Sequence, residues 1–311
     1  MKSSIFPTEL IPQTITELVQ SFLAEKRMTG KSESTVQSYA SALKVISTVI
    51  DFNSPVESVK KSDIVRFIDD CKKREVSEHT IEHYLKHFRV FMNWCKEEGY
   101  SAIKIMGYSA PEAVKETYSD EDLQKLLRKP NMKECNFAEY RNWVIVNFLI
   151  ETGCRASSLI AIRISDIDFK NSICQFRHNK TGKVQSVPIS EILAKRIGEY
   201  LKVRGTVGEP VLFPQIDGTA MTYNALRLAI NRYNKSRDVD ITSIHAFRHT
   251  FAKNYLLSGG DPFRLQKILN HSTLEMTKHY CRLYDTDIVK GFESHSTLSR
   301  LSTEKEYIKM R

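Results

Sequence analysis

The fold and function predictions rest on the stretch HAFRHTFAKNYLLSGGDPFRLQKILNHSTLEMTKHY, residues 245–280. His245 and Arg248 lie three residues apart, so they share one face if the segment is helical. His271 and Tyr280 follow in the same stretch. Arginine offers a planar fork to two phosphate oxygens, histidine donates to oxygen or moves a proton, and tyrosine can act as a covalent nucleophile. This order of residue types indicates a site that handles a phosphate.

The spacing in this stretch resembles the second conserved box of the tyrosine recombinases, the site-specific DNA recombinases and phage-type integrases. The family pattern is His-x-x-Arg-His-Thr-Phe-Ala, then a glycine, then Leu-Gly-His and Thr-x-x-Tyr. This chain matches it at residues 245–252, at Gly259 and at residues 277–280, and it has Leu-Asn-His at residues 269–271. Asn270 is a departure from the pattern. Because asparagine tolerates a left-handed backbone, we expect the turn at this position to persist.

A second motif, ETGCRASSL at residues 151–159, resembles the first box of the same family. Gly153 permits a tight turn after a buried helix, and Arg155 then stands at the start of a new helix, where backbone donors also favour an anion. The resemblance makes Arg155 the matching arginine. Ser158 is another departure, because family members carry glutamate three residues after this arginine. The absence of this glutamate affects how the Arg155 side chain is held in position.

Inward- and outward-facing residues alternate at 172–189 as in a β-hairpin, with the turn NKTGK at residues 179–183. Residues 211–213 predict a short buried strand. A lysine at a hairpin tip is ordinarily a solvated surface residue. The resemblance, however, aligns this turn with a mobile hairpin that carries a catalytic lysine. Lys180 is the better match to that lysine, and Lys183 is the alternative.

The resemblance assigns six side chains to catalysis: Arg155, Lys180, His245, Arg248, His271 and Tyr280. Two of them, Arg155 and Arg248, are expected to neutralise a DNA phosphodiester and to stabilise the added charge of the transition state. His271 is expected to donate to a non-bridging oxygen. No metal, ATP or other cofactor is expected, since the sequence has neither a carboxylate cluster nor a P-loop.

The remaining roles implied by the resemblance concern proton and bond transfer. Tyr280 attacks phosphorus and forms a 3′-phosphotyrosyl link, while Lys180 protonates the leaving 5′-oxygen. His245 accepts the tyrosine proton. Tyr284 and Tyr255 are the rival nucleophiles, but Tyr284 comes four residues late for the motif, and core packing is the simpler role for Tyr255.

Length and composition fit a two-domain protein that binds a polyanion. The 311 residues carry a net charge of +9 and a pI of about 9.1. We predict a fold that is mainly α with a small antiparallel β-sheet, in which a helical N-terminal core-binding domain precedes an α+β catalytic domain. The expected boundaries are a DNA-clamping domain at 13–100, a linker at 101–117, a catalytic domain at 118–294 and a tail at 295–311.

The expected partners follow from the same resemblance. They are double-stranded DNA recombination sites and further copies of the chain, as a homotetramer with a dimer on each site, and accessory proteins are a further candidate. The six cysteines are scattered without a zinc-finger pattern, and neither a signal peptide nor a membrane span is evident, so a reducing cytoplasm is expected. A Xer-type or mobile-element recombinase is the favoured function.

Two alternatives remain open at this stage. A type IB topoisomerase-like enzyme would use the same tyrosine chemistry to relax supercoils. A catalytically inactive, architectural DNA-binding factor is the other, and the departures at Ser158 and Asn270 are the hints toward it. The presence of every expected catalytic side chain argues against the inactive factor.

Overall fold

The computed structural model describes residues 13–100, 102–111, 115–177, 184–205, 210–271, 273–274, 277 and 296–298. The chain divides into two compact units, residues 1–113 and 114–311. The described residues are mainly helical and include a three-stranded antiparallel sheet. The predicted fold class is therefore confirmed.

The helices of the first unit are α1 (Ile15–Met28), α2 (Glu33–Ile46), α3 (Lys61–Lys73) and α4 (Glu78–Glu97). Serine side chains begin two of them, because Ser32 and Ser77 accept hydrogen bonds from backbone N–H groups in the first turns of α2 and α4. The apolar faces of the helices meet in one core, in which Phe22, Phe88 and Phe91 are fully buried. The helices of the first unit therefore form a packed domain, as expected for residues 13–100.

The segment after α4 also belongs to the first unit, although it has no helical periodicity. Ile105 is only 3% exposed and joins the core of the first unit. The Tyr108 hydroxyl donates to the Glu78 carboxylate, and the backbone N–H of Ala110 donates to Glu82. Much of the stretch predicted as a linker therefore packs against the helical domain.

The helices of the second unit are α5 (Asp120–Leu127), α6 (Phe137–Thr152), α7 (Ala156–Ala161), α8 (Glu191–Arg204), α9 (Tyr223–Lys235), α10 (Ile244–Leu257) and α11 (Pro262–Leu269). The central helix is α6, which is buried around most of its circumference and packs against α5, α8, α9 and α10. Phe148 of α6 meets Phe213 edge to face at 5.7 Å. Because α6 is held on several sides, its C-terminal end is a fixed platform for the turn that follows.

The sheet consists of β1 (Ile167–Asp168), β2 (Ile173–Phe176) and β3 (Gln185–Pro188), in the order β1-β2-β3. The predicted hairpin is confirmed as β2 and β3, which pair antiparallel with Cys174 opposite Val187. The prediction of a strand at residues 211–213 is wrong: Val211 makes only an isolated bridge with Arg163. These three residues are buried because they pack in the core. A short run of apolar residues looks the same in a sequence whether it pairs as a strand or is a buried loop.

Within the described part of the chain, no helix has both the length and the apolar character needed to cross a lipid bilayer.

Gly153 and Gly198 provide a matched pair of glycine-to-alanine changes in the second unit. Gly153 has φ +57°, and a Cβ there would lie 2.5 Å from the Phe251 ring, whereas a Cβ on Gly198 in α8 meets nothing within 4 Å. We expect Gly153→Ala to lower the free energy of unfolding by at least about 2 kcal/mol. Gly198→Ala should raise it by up to about 1 kcal/mol.

The measurement is urea unfolding of the second unit, followed by Trp143 fluorescence in a Trp94→Phe background, since the chain has two tryptophans. Equal unfolding midpoints for the two alanine variants would contradict the role assigned to the left-handed turn at Gly153.

Candidate active site

Arg155 is positioned by the end of the buried helix α6. Gly153 takes a left-handed conformation, φ 57° and ψ 22°, and its N–H donates to the Leu149 carbonyl. The chain then turns, so that Arg155 becomes the N-cap residue immediately before α7. Its guanidinium Nη2 donates to the backbone carbonyl of Asn270 at 3.3 Å. The half-buried Arg155 is thus tied to the turn that precedes His271.

Arg248 lies on α10 and is only 6% exposed. Its Nη1 donates to the Gly153 carbonyl at 2.8 Å, and its Nη2 donates to the Leu269 carbonyl at 2.7 Å. One buried guanidinium therefore joins the end of α6 to the end of α11. These two ends carry the first-box arginine and the second histidine of the sequence motifs.

Asn270 ends α11 in the left-handed conformation, with φ 50° and ψ 54°. The His271 N–H donates to the Gln266 carbonyl at 3.0 Å, which closes the turn. The expectation that asparagine supports this turn is confirmed. The turn directs the carbonyls of Leu269 and Asn270 to the two arginines.

His271 is 8% exposed, and its Nδ1 lies 2.9 Å from the Thr277 hydroxyl oxygen. Its pKa is lowered to about 4, first because burial disfavours the imidazolium and then because Arg248 and Arg155 repel a further positive charge. Lys115 and His249 act in the same direction. At neutral pH the imidazole is uncharged, with one N–H donor and one acceptor nitrogen.

The structure therefore brings Arg155, Arg248 and His271 together around the turn at residues 269–271. His245 lies one helical turn before Arg248 on α10, and it is exposed. The rival nucleophile Tyr255 packs against Phe251, with ring centroids 6.0 Å apart, as expected for a packing residue.

Four residues singled out in the sequence lie outside the described residues: Lys180, Lys183, Tyr280 and Tyr284. Ser158, the position at which the family pattern has glutamate, is a described residue of α7 and is 6% exposed. No group of three or more His, Cys, Asp or Glu side chains that could hold a metal ion occurs in the described ranges.

Sequence interpretation missed two contributors to this site. Lys115 adds positive charge near His271, but it sits in a stretch without a motif. Gln185 of β3 donates its side-chain N–H to the Ile268 carbonyl, which ties the hairpin to α11. A groove of about 460 Å³, lined in part by Gln185, Lys267 and His271, opens beside this contact. Neither the Lys115 charge nor the Gln185 hydrogen bond is marked by a motif or by residue spacing in the sequence.

Comparison with known proteins agrees with this geometry. Residues 116–287 match the model of the phage integrase family, and residues 18–102 match that of the phage integrase N-terminal SAM-like domain. The first match alone covers more than half of the 311 residues. The chain belongs to the phage integrase family. It is a tyrosine recombinase, an enzyme that cleaves and rejoins DNA strands, as the motifs predict.

Two curated relatives of this family member match along most of their length. Tyrosine recombinase XerA of Saccharolobus solfataricus is 25% identical over 285 residues, which cover 88% of this chain and 90% of that protein. Tyrosine recombinase XerA of Pyrococcus furiosus is 25% identical over 291 residues, which cover 92% and 96%. The similarity therefore extends across both units of the chain.

Two solved structures share the fold. The Tn1549 transposon integrase in complex with transposon right end DNA matches with a TM-score of 0.73 and 20% identity, over 86% of this chain and 94% of that one. A lambda integrase tetramer bound to a Holliday junction matches with a TM-score of 0.72 and 14% identity, over 87% and 78%. The integrase fold therefore holds even where few residues are identical.

The lowered pKa of His271 makes a prediction about acid stability. Between pH 6.5 and about 4 the unfolded histidine binds a proton that the folded one does not, so stability falls as the pH falls through this window. We expect lowering the pH from 7 to 5 to cost the wild-type chain about 2 kcal/mol more than it costs His271→Gln.

Urea unfolding of the second unit at both pH values, monitored by Trp143 fluorescence, measures this difference. His79→Gln, which removes an exposed histidine of the first unit, should behave as the wild type. The same pH dependence in wild type and His271→Gln would show that His271 is not held neutral by its surroundings.

Proposed function

We propose that this recombinase is a site-specific enzyme that exchanges strands of double-stranded DNA through a 3′-phosphotyrosyl intermediate. Arg155 and Arg248 bind the scissile phosphate, His271 donates to it, and Tyr280 is the nucleophile. The observation that carries the proposal is the buried Arg248 guanidinium, which bonds to Gly153 at 2.8 Å and to Leu269 at 2.7 Å. Through these bonds it holds both phosphate-binding segments in one place.

The two arginines are suited to stabilising a phosphoryl transition state. Backbone carbonyls accept hydrogen bonds from both of them, and a carbonyl is neutral, so these bonds orient the guanidiniums without cancelling their charge. A phosphodiester gains negative charge when a nucleophile adds to phosphorus. Fixed cations in a poorly solvated site stabilise that added charge without having to reorganise. Arginine also matches two phosphate oxygens at once.

His271 suits the role of a neutral hydrogen-bond donor. With a pKa of about 4, the imidazole of the DNA-free chain is neutral in the neutral pH range and keeps one N–H that can donate to a non-bridging oxygen. A cationic histidine would also attract the phosphate, but it would repel the two arginines. The arginines therefore supply the permanent positive charge of the site, and the imidazole supplies a directional hydrogen bond.

The proposed reaction conserves the phosphodiester bond energy. The Tyr280 phenol attacks phosphorus and loses its proton to His245, and the bond from phosphorus to the 5′-oxygen breaks. Lys180 supplies the proton that converts the leaving oxygen to a 5′-hydroxyl. The reverse reaction, with a 5′-hydroxyl of another strand, rejoins the DNA and frees the tyrosine. Since one ester replaces another, ATP is not a reactant.

Exchange between two duplexes requires four strand cleavages, and one tyrosine serves each cleavage. The recombinase therefore acts as a homotetramer, with a dimer on each DNA site, and accessory proteins are further candidate partners. The net charge of +9 supports a polyanionic partner. We also propose that residues 13–100 clamp the duplex, that residues 101–117 connect them to the catalytic domain at 118–294, and that residues 295–311 form a C-terminal tail.

Replacement of the nucleophile tests the reaction. On a nicked suicide substrate, from which the cleaved end diffuses away, the wild-type chain should accumulate a covalent protein–DNA adduct. Tyr280→Phe should form none and should bind the same DNA within about twofold, because only a hydroxyl is removed.

The matched controls are Tyr284→Phe and Tyr255→Phe, which should retain the adduct. Persistence of the adduct in Tyr280→Phe would overturn the assignment of the nucleophile. Absence of the adduct in wild type, with binding intact, would favour an architectural factor. Supercoil relaxation without exchange between two sites would favour the topoisomerase.

A substrate with a sulfur leaving atom tests which lysine is the general acid. A 5′-bridging phosphorothiolate leaves without a proton, because a thiolate is far more stable than an alkoxide. Lys180→Ala should slow cleavage of the ordinary DNA by about a hundredfold or more, and the sulfur substrate should restore most of that rate.

Lys183→Ala is the control, and it should cleave both substrates at close to wild-type rates. If sulfur instead restores Lys183→Ala, the general acid is Lys183. If it restores neither variant, then neither lysine supplies the proton.

A further inference from the structure

A buried hydrogen bond joins the Leu-Asn-His part of the second box to its Thr-x-x-Tyr part. Nδ1 of His271 lies 2.9 Å from the hydroxyl oxygen of Thr277. The two residues are 8% and 0% exposed. The Thr277 N–H donates to the Leu274 carbonyl at 2.8 Å, which fixes the backbone of the threonine next to the imidazole. Buried polar groups at this distance ordinarily form a hydrogen bond.

The direction of this bond decides what the opposite face of the imidazole can do. A neutral imidazole has one N–H and one acceptor nitrogen. If the hydroxyl donates to Nδ1, the hydrogen of the ring is on Nε2, and Nε2 can donate to a phosphate oxygen. If Nδ1 donates to the hydroxyl, Nε2 carries a lone pair that repels the phosphate. A hydroxyl permits either direction, whereas a backbone carbonyl would permit only the second.

Building on the proposed function, we propose that Thr277 is a positioning residue for DNA cleavage: its hydroxyl donates to Nδ1 of His271 and so keeps an N–H on Nε2 for the scissile phosphate. Arg155 and Arg248 approach the turn that carries this histidine, so a bound phosphate would meet all three side chains. Thr277 comes three residues before Tyr280 in the sequence. The same hydroxyl thus connects the phosphate donor to the segment that carries the nucleophile.

Two substitutions separate this role from simple packing. Valine has nearly the shape of threonine but no hydroxyl, while serine keeps the hydroxyl and loses a methyl group. A packing role predicts that Thr277→Val is tolerated and that Thr277→Ser is the more harmful change, because Thr277 is fully buried. The positioning role predicts the opposite order for the rate of cleavage.

The kinetic test is single-turnover cleavage of a nicked suicide duplex by the full-length chain. Thr277→Val should slow formation of the covalent adduct by about tenfold to a hundredfold, with DNA binding unchanged within about twofold. Thr277→Ser should cleave within about threefold of wild type. A wild-type rate for Thr277→Val, or a serine variant as slow as the valine variant, would overturn the inference.

A spectroscopic test does not depend on activity. Correlation of ring nitrogens with carbon-bound ring protons, in chain labelled with ¹⁵N-histidine, reports the tautomer of each of the nine histidines, and His271→Gln identifies the signal. His271 should be the Nε2–H tautomer in wild type and in Thr277→Ser, and it should lose that preference in Thr277→Val. An Nδ1–H tautomer in wild type would overturn the inference even if the valine variant fails to fold.

The outcomes also separate this inference from the proposed function. If the wild-type chain forms no adduct, strand cleavage itself fails and the role of Thr277 fails with it. If wild type forms the adduct and Thr277→Val forms it equally fast, cleavage stands and only the role of Thr277 is lost.

Discussion

The turns that carry Arg155 and His271 depend on a buried cation, the guanidinium of Arg248. Removing a charged group from water is costly unless hydrogen bonds replace the lost hydration. Here the replacement comes from the carbonyls of Gly153 and Leu269, which lie at the ends of two different helices. Each helix must therefore end at the right residue, and the chain after it must turn in the right direction. Left-handed residues, Gly153 at φ 57° and Asn270 at φ 50°, make both turns.

The same arrangement sets the electrostatics of the site. The buried guanidinium and the neighbouring Arg155 lower the pKa of His271, in addition to the effect of burial. Positive charge is thus concentrated around His271, where we propose that the phosphate binds, and these like charges repel one another in the DNA-free chain. A bound phosphodiester would relieve that repulsion, so part of the binding free energy is already built into the folded chain.

Much of this could be predicted from the sequence, because the decisive features are local. Gly153 and Asn270 have left-handed conformations that few other residues adopt, and the hairpin of β2 and β3 has regular alternation. Other features depend on residues far apart in the chain. Gln185 contacts the carbonyl of Ile268 across 83 positions, and no periodicity marks such a pair. The two-residue strand β1 is likewise too short to show alternation.

The two departures from the family pattern meet at Arg155. Ser158 is buried three residues after this arginine, and a serine hydroxyl adds no negative charge to hold a guanidinium in place. The Asn270 carbonyl, 3.3 Å from Nη2 of Arg155, supplies an acceptor instead. That acceptor belongs to the backbone, so its position depends on the left-handed turn and not on the identity of the side chain. Asparagine in place of glycine therefore preserves the support of Arg155, which makes the loss of the glutamate compatible with an active site.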